Sequence, residues 1–221
     1  MNINITTLPQ GSYQTNSYVI TKTNAPGKCV VIDTGLDNSL LLSHLKNERL
    51  TPQALLITHG HLDHIHGIPE MKELFPDMPV YVLEEEMAML KSPELNMSAY
   101  SAIYDDFAVD SVDKTVTDGE IVAVLGFDFR YLHIPGHTKG GACIEMVGEG
   151  RVFTGDCIFC GSIGRTDFPG LDPQAAMMQL VKGIKEKVLT MPEQTILYPG
   201  HGPETTVGRE KLTNPFLCEQ Q

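Results

Sequence analysis

The feature that most constrains this chain is a run of possible metal ligands within eight residues: His59, His61, Asp63, His64 and His66. The preceding segment, 54–57, is apolar and partly β-branched, which is typical of a buried strand. The following segment, 68–75, has the apolar spacing of an amphipathic helix. The sequence therefore predicts a turn that carries the ligands between a strand and a helix.

The spacing within this turn fits the chemistry of a metal site. Alternate residues of an extended chain point the same way, so His59 and His61 are expected to hold one ion. The chain then bends into a helix, which directs Asp63 and His64 toward a second point nearby. Imidazole suits zinc and iron, and a carboxylate adds negative charge. The alternative, a polar loop of hydrogen-bonded histidines, is disfavoured because so dense a pattern rarely arises by chance.

Four ligands do not complete a two-metal site, so further ligands must come from later in the chain. His137, Asp156 and His201 each follow a predicted strand, and each is directly preceded by glycine. Glycine lets the backbone turn sharply at a strand end, and such loops commonly carry functional residues. Each residue alone is as consistent with a surface turn. Together with the first cluster they are predicted to be ligands.

The overall composition restricts the partners. The chain has 221 residues, 42% of them hydrophobic and 20% charged, as in ordinary soluble globular proteins. Its net charge of −12 disfavours nucleic acid or an anionic membrane as a partner. No apolar run approaches the length of a membrane span, and the N-terminus does not have a signal-peptide pattern. Five scattered cysteines do not form a disulfide framework and favour a reducing cytoplasm.

The chain shows no boundary between domains. No linker rich in Gly, Ser or Pro interrupts it, and strands precede helices in both halves. We therefore expect residues 1–221 to form one α/β domain, and a monomer is compatible with the sequence. The acidic run Glu84–Glu86 follows a predicted strand. We expect it to be the solvated start of a helix, where negative charge interacts favourably with the helix dipole.

The order of the motifs resembles the metallo-β-lactamase-fold superfamily over essentially the whole chain. Thr-His-x-His-x-Asp-His is followed by Pro-Gly-His-Thr, Thr-Gly-Asp and Pro-Gly-His. The segments 161–170, 200–203, 208–210 and 214–216 are similar to the short bacterial glyoxalase II-like hydrolases, which resemble hydroxyacylglutathione hydrolase. The resemblance implies a four-layer αββα sandwich with the metals at one edge of its two sheets.

The resemblance also implies a role for each ligand and two divalent metals. Zinc is the expected metal, with iron or manganese as alternatives. The implied ligands are His59, His61 and His137 for the first metal, Asp63, His64 and His201 for the second, and Asp156 as a bridge between them. Asp63 is also the implied catalytic residue, which accepts a proton from the attacking water.

Three further residues are interpreted through the resemblance. Asp33 matches an acidic residue that ends a strand and orients the metal loop from behind the ligands. Arg165 lies nine positions after Asp156, at the place of the family's glutathione-binding basic residue, and is expected to clamp a substrate carboxylate. His66 replaces a glycine common in the family and is not expected to be a ligand.

The implied reaction is hydrolysis of S-hydroxyacyl thioesters such as S-lactoylglutathione, with a metal-bound hydroxide as nucleophile. A thiol has a pKa of about 8.5 and leaves without a dedicated proton donor, whereas an amide nitrogen needs one, which favours a thioester over a β-lactam. Two departures leave the substrate open. We expect the C-terminal helical domain of full-length glyoxalase II enzymes to be absent, and Pro203 stands where they often have Tyr.

Two other activities remain alternatives. A mononuclear iron persulfide dioxygenase shares the Gly-Arg-Thr-Asp-Phe pattern at 164–168. A hydrolase of another thioester, ester or lactone would use the same ligands. A non-catalytic metal-binding module is disfavoured because every ligand position carries a residue that binds metal.

Overall fold

The computed structural model describes residues 3–110 and 112–218, so both ends of the expected domain, 1–2 and 219–221, and position 111 lie outside the described residues. The strands are Ile3–Gln10 (β1), Thr15–Lys22 (β2), Lys28–Ile32 (β3), Thr51–Leu56 (β4), Val80–Leu83 (β5), Lys114–Val116 (β6), Ile121–Val124 (β7), Phe127–His133 (β8), Ala142–Met146 (β9), Arg151–Gly155 (β10), Ile158–Phe159 (β11), Ser162–Ile163 (β12), Ile196–Pro199 (β13) and Thr205–Thr206 (β14). The α-helices are Ser39–Asn47 (α1), Leu62–Ile65 (α2), Ile68–Leu74 (α3), Met87–Leu90 (α4), Pro173–Gly183 (α5) and Val207–Thr213 (α6).

Two six-stranded sheets form the centre of the fold. The first has the order β1-β2-β3-β4-β5-β6, with antiparallel pairing from β1 to β3 and parallel pairing from β3 to β6. The second has the order β14-β13-β10-β9-β8-β7, and only β10 and β13 pair in parallel. Parallel pairs require long crossovers, and here these crossovers contain α1 to α5.

The inner faces of the two sheets pack against each other. Ile32 and Leu56 of the first sheet meet Phe129, Tyr131 and Phe153 of the second in one buried cluster. Complete burial of each such side chain stabilises the fold by about 1.5–3 kcal/mol relative to exposure. This apolar layer therefore joins the sheets face to face.

Helices cover the outer faces. Leu41 of α1 and Met71 of α3 pack on the first sheet, whereas Leu180 of α5 packs on the second. The expected αββα sandwich is thereby confirmed. Among the helices in the described ranges, none is both long and apolar enough to cross a bilayer.

Several strands end at one edge of the sandwich, where backbone hydrogen bonds connect the sheets. The Asn16 N–H donates to the Gly200 carbonyl (2.7 Å), and the Ala142 N–H donates to the Thr58 carbonyl (3.0 Å). The two acceptor carbonyls lie just after the ends of β4 and β13, and the Gly200 N–H donates in turn to the carbonyl of Gly155, the last residue of β10 (2.8 Å). Predicted ligands follow the same strand ends, so the fold brings the two halves of the candidate site together here.

Candidate metal centre

The histidine-rich turn follows β4 and leads into α2, as the sequence predicts for a strand-to-helix turn. The helix predicted over 68–75 is present as α3, and an additional one-turn helix, α2, begins at Leu62 within the motif. His61 is extended and directly precedes this helix, while Asp63 and His64 lie on it. Because the backbone changes from extended to helical at this point, His59 and His61 join one group of predicted ligands, and Asp63 and His64 join another.

Three imidazole nitrogens converge to form the first group. His59 Nε2 lies 3.1 Å from His61 Nδ1, and His137 Nε2 lies 2.9 Å from the same His61 atom. Ligand nitrogens around a tetrahedral zinc ion, with bonds of about 2.0–2.1 Å, stand roughly 3.3 Å apart. The spacing of the three nitrogens is therefore close to that of a metal site.

Backbone carbonyls determine which ring nitrogen of two histidines is available. His137 Nδ1 donates to the carbonyl oxygen of Arg165 (2.9 Å), and His201 Nδ1 donates to that of Tyr13 (3.0 Å). Because a carbonyl only accepts, the proton of each neutral ring resides on Nδ1. The lone pair of Nε2 is then directed into the site, which is the usual arrangement of a metal-binding histidine.

Asp33 performs the same function for two histidines of the motif. Its Oδ2 accepts from His64 Nδ1 (2.8 Å) and from the Thr58 hydroxyl (2.7 Å), and its Oδ1 accepts from the Thr58 N–H (2.9 Å). With its proton donated to Asp33, the Thr58 hydroxyl oxygen accepts from His59 Nδ1 at 3.1 Å. The structure thus places Asp33 behind the turn, in contact with groups that orient His59 and His64.

The second group contains Asp63, His64 and His201. Asp63 Oδ2 lies 3.2 Å from His201 Nε2 and 3.6 Å from His64 Nε2. The same oxygen accepts a hydrogen bond of 2.7 Å from the hydroxyl of Thr15, a buried residue of β2. Sequence reasoning missed Thr15, because nothing around it resembles a ligand motif.

Asp156 lies between the two groups. Its Oδ2 is 3.4 Å from His137 Nε2 and 3.5 Å from His201 Nε2, and its Oδ1 is 3.4 Å from His64 Nε2. One carboxylate therefore faces both groups. That it bridges two metals stays a prediction.

Orphaned polar atoms test whether the site fits a cation. Within the described residues, His61 Nε2, His64 Nε2 and Asp156 Oδ1 are buried without a hydrogen-bond partner. An unsatisfied buried polar group costs about 1–3 kcal/mol. His64 Nε2 and Asp156 Oδ1 lie where the second group meets Asp156, 3.4 Å from each other. A divalent cation there would satisfy both atoms, so the residues fit metal ions.

Protonation states in the first group also favour metal binding. Burial lowers the pKa of His61 to about 3, and it lowers the pKa of His59 well below its ordinary value together with the positive charge of His64. Burial, only partly opposed by Asp156, also lowers the pKa of His137. Neutral imidazole is the form that binds metal.

The second group has a different charge balance. Burial would raise the pKa of Asp63, but the charge of His64 outweighs it and lowers the pKa to about 2. Burial would lower the pKa of His201, but its hydrogen bonds to Asp156 and Asp63 raise the pKa to about 9. Protons on the histidines here balance the carboxylates, so metal binding to this group must release protons.

A pocket of about 560 Å³ opens directly onto the centre. Its lining includes His61, Asp63, His137, Asp156 and His201, together with the aromatic side chains of Tyr13, Tyr100, Phe159 and Phe168. The Phe168 ring lies 4.5 Å from that of His61. A small molecule in this pocket would therefore contact both the ligand groups and an aromatic wall.

Arg165 lines the same pocket but already has a partner. Its Nε donates to Asp167 Oδ1 at 2.9 Å, and its guanidinium lies 4.9 Å from the ring centroid of Phe168. The side chains of Arg165 and Asp167 are both exposed to solvent. His66 is not part of either ligand group and instead packs near the rings of Tyr104 and Phe107.

The prediction of a solvated acidic run is wrong for one residue. Glu84 and Glu85 are exposed, but the side chain of Glu86 is completely buried. The 3-10 turn at 84–86 rotates this one carboxylate inward, toward the ligand loops. Three consecutive glutamates have the same local pattern, so the sequence contains no signal that separates the third from the others.

A family model described as the Metallo-beta-lactamase superfamily matches residues 11–201, the span that contains every predicted ligand. The chain belongs to the metallo-beta-lactamase superfamily. It is 35% identical over 210 residues to "Probable metallo-hydrolase YqgX" of Bacillus subtilis, covering 95% of each chain. It is 33% identical over 222 residues to "Hydroxyacylglutathione hydrolase GloC" of Haemophilus influenzae, covering 97% of this chain and 98% of the relative.

Solved structures of this superfamily share the fold. The structure of the BLEG-1 B3 metallo-beta-lactamase superposes with a TM-score of 0.89 at 36% identity, covering 98% of this chain and 100% of the other. The structure of TTHA1623 in a di-iron-bound form superposes with a TM-score of 0.79 at 32% identity, covering 96% and 100%. The superfamily fold and the His/Asp groups together support divalent metal binding.

Proposed function

We propose that this protein is a binuclear metallohydrolase that cleaves thioesters, with S-hydroxyacyl thioesters such as S-lactoylglutathione as its substrate class. The observation that carries the proposal is that two groups of ligand atoms share Asp156 at the floor of a pocket. The Haemophilus influenzae relative, named as a hydroxyacylglutathione hydrolase, supports this substrate class. The Bacillus subtilis relative, named as a probable metallo-hydrolase, supports the reaction type.

Each group is proposed to hold one metal. The proposed ligands are His59, His61 and His137 in the first group, Asp63, His64 and His201 in the second, and Asp156 between them. When bound, divalent ions here supply a Lewis acid for the substrate carbonyl and a water of lowered pKa. Zinc is the proposed metal, and the di-iron form of TTHA1623 makes iron the principal alternative.

Asp63 is proposed to move the proton. It is ionised and lies in the pocket wall, where a carboxylate accepts the proton of an attacking water. The Thr15 hydroxyl and His201 hold its Oδ2 in place. The protein then needs no separate acid for the leaving group, because a thiol of pKa about 8.5 leaves as a thiolate.

Arg165 is proposed to bind a carboxylate of the substrate. Its present partner, Asp167, is an exposed carboxylate two residues away. Exposed pairs of this kind contribute little because water screens them, so a substrate carboxylate can replace Asp167 at small cost. Stacking on Phe168 would keep the guanidinium plane at the pocket during this exchange.

Hydrolysis of S-lactoylglutathione by the zinc-loaded protein tests the proposal. We expect loss of thioester absorbance with metal loading, and elemental analysis is expected to find two metals per chain. No turnover of any thioester would refute the proposal. One iron per chain, with oxygen uptake on glutathione persulfide, would instead identify the dioxygenase alternative.

A second candidate is β-lactam hydrolysis. It is favoured by the 36% identity to the BLEG-1 B3 metallo-beta-lactamase. The same zinc-loaded preparation is therefore assayed with the chromogenic β-lactam nitrocefin. A kcat/KM for nitrocefin above that for S-lactoylglutathione would reverse the order of the two candidates.

A further inference from the structure

The buried carboxylate of Glu86 has no place in the proposed reaction and requires an explanation. The residue ends the 3-10 turn that follows β5, and its side chain is completely inaccessible to solvent. Burial raises its pKa. A buried carboxylate is costly unless its oxygens are hydrogen-bonded, so the contacts of these oxygens indicate what the residue does.

The two oxygens of Glu86 contact two different loops. Oε2 accepts from the Gly60 N–H at 2.7 Å, and Oε1 accepts from the Gly140 N–H at 2.6 Å. Gly60 lies between His59 and His61, whereas Gly140 lies three residues after His137. One carboxylate therefore joins the loops, one from each sheet, that carry the three converging imidazoles.

The packing around these bonds leaves room only for glycine. A Cβ at Gly60 would lie 2.8 Å from Leu90 Cδ1 and 3.0 Å from Glu86 Oε2. A Cβ at Gly140 would lie 2.6 Å from the backbone nitrogen of Glu86. At Gly140 the overlap is with backbone, so a side chain there would separate this loop from the turn. At Gly60 the overlap is with side-chain ends, including the carboxylate that the Gly60 N–H binds.

We propose that Glu86 is a positioning residue, whose carboxylate holds the His59–His61 turn and the His137 loop at the separation that lets their nitrogens converge. The inference rests on the proposed function, because it takes these three histidines as ligands of one metal. Hydrogen bonds to an ionised acceptor are about twice as strong as neutral ones. The Glu86 oxygens bind Gly60 and Gly140, and the Thr138 side chain beside His137 also stabilises the carboxylate, so the contacts of Glu86 lie on the loops of the first group.

Selective loss of one metal tests this inference. In Glu86→Gln, an amide NH₂ replaces one oxygen and faces an N–H donor, so one of the two bonds is lost. The matched control is Glu84→Gln, which removes the same charge from an exposed side chain of the same turn. Metal-free wild type and both variants are titrated with Zn²⁺ against a chromophoric chelator, and with Co²⁺ by visible absorption.

We expect wild type and Glu84→Gln to bind two ions alike. Glu86→Gln should bind one ion with unchanged affinity and the other about 10–100-fold more weakly, the usual effect of losing a group that orients ligands. Two ions bound to a folded Glu86→Gln with wild-type affinities would overturn the inference while leaving the proposed function intact. A wild type that binds no zinc would overturn both.

A second variant with a shorter side chain, Glu86→Asp, tests the inference if Glu86→Gln does not fold. Glu86→Asp keeps the charge but cannot span both loops. A folded Glu86→Asp with the same selective loss of one metal supports the positioning role. If Glu86→Asp is also unfolded, with and without zinc, the carboxylate is required by the whole fold and the inference is overturned.

Discussion

At the level of single residues, the proposed centre depends on which nitrogen of each histidine faces inward. His64 and His137 turn Nε2 toward the ligand groups because Nδ1 is held by Asp33 or by a carbonyl, whereas His61 presents Nδ1. Spacing within the motif predicts His61 and His64, whereas His137 is predicted from its place after a strand end and a glycine. Their orientation was not predictable, because the carbonyl that holds His137 belongs to Arg165, 28 residues away.

The hydroxyl of Thr15 is expected to contribute to activity through Asp63. Thr15→Val keeps the shape of the side chain but removes the hydrogen bond of 2.7 Å to Asp63 Oδ2. Hydrogen bonds to charged groups contribute about 1.5–3 kcal/mol, so kcat/KM for S-lactoylglutathione should fall by roughly 10–100-fold. Thr15→Ser retains the hydroxyl and is expected to stay near wild type; equal losses in both variants would contradict this explanation.

At the level of elements, the site is built from short loops that follow strands. The ends of β8, β10 and β13 were predictable because a glycine followed by histidine or aspartate lies at or just after each of them. The four-residue helix α2 was not, since so short a segment has no apolar periodicity that distinguishes it from a loop. The inward rotation of Glu86 was equally unpredictable, because it depends on the packing of two distant glycines against the turn.

The loop after β13 has no room for a side chain at Gly200. A Cβ there would overlap with Asp156 Oδ1 and would lie 2.8 Å from His64 Cε1. Gly200→Ala is therefore expected to displace the carboxylate of Asp156, the proposed bridge, and to reduce the bound zinc to one ion per chain or fewer, measured by elemental analysis.

The control for this substitution is Gly202→Ala. Gly202 has a φ of 75°, and a Cβ added there would meet no described atom within 4 Å beyond its chain neighbours. The alanine should cost about 1–2 kcal/mol of stability through backbone strain, without affecting the bound metal. If Gly200→Ala binds as much zinc as wild type, the prediction is contradicted, because metal binding then does not depend on the position of Asp156.

At the level of the whole molecule, the charge balance of the second group links stability to pH. In the metal-free protein the pKa of His201 is raised from 6.5 to about 9 by its carboxylate partners. A raised pKa in the folded state stabilises the protein fully below pH 6.5, and this stabilisation is lost as the pH rises through 9. The free energy of unfolding, measured by urea denaturation in the presence of a chelator, should therefore decrease between these pH values.

The variant His201→Ala provides the comparison for this pH dependence. Without the imidazole, the decrease in unfolding free energy between pH 6.5 and 9 should be smaller than in wild type. If wild type and His201→Ala show the same pH dependence, the decrease in unfolding free energy is caused by titratable groups other than His201.

The direct hydrogen bonds between the two sheets, at the edge that carries the predicted ligands, have a consequence for the order in which the chain folds and binds metal. The first group combines histidines 76 residues apart, one from each sheet, so neither half of the chain contains either group complete. Each group is complete only when the two sheets have come together. We therefore expect uptake of the proposed metals to follow closure of the sandwich, as a late step of maturation.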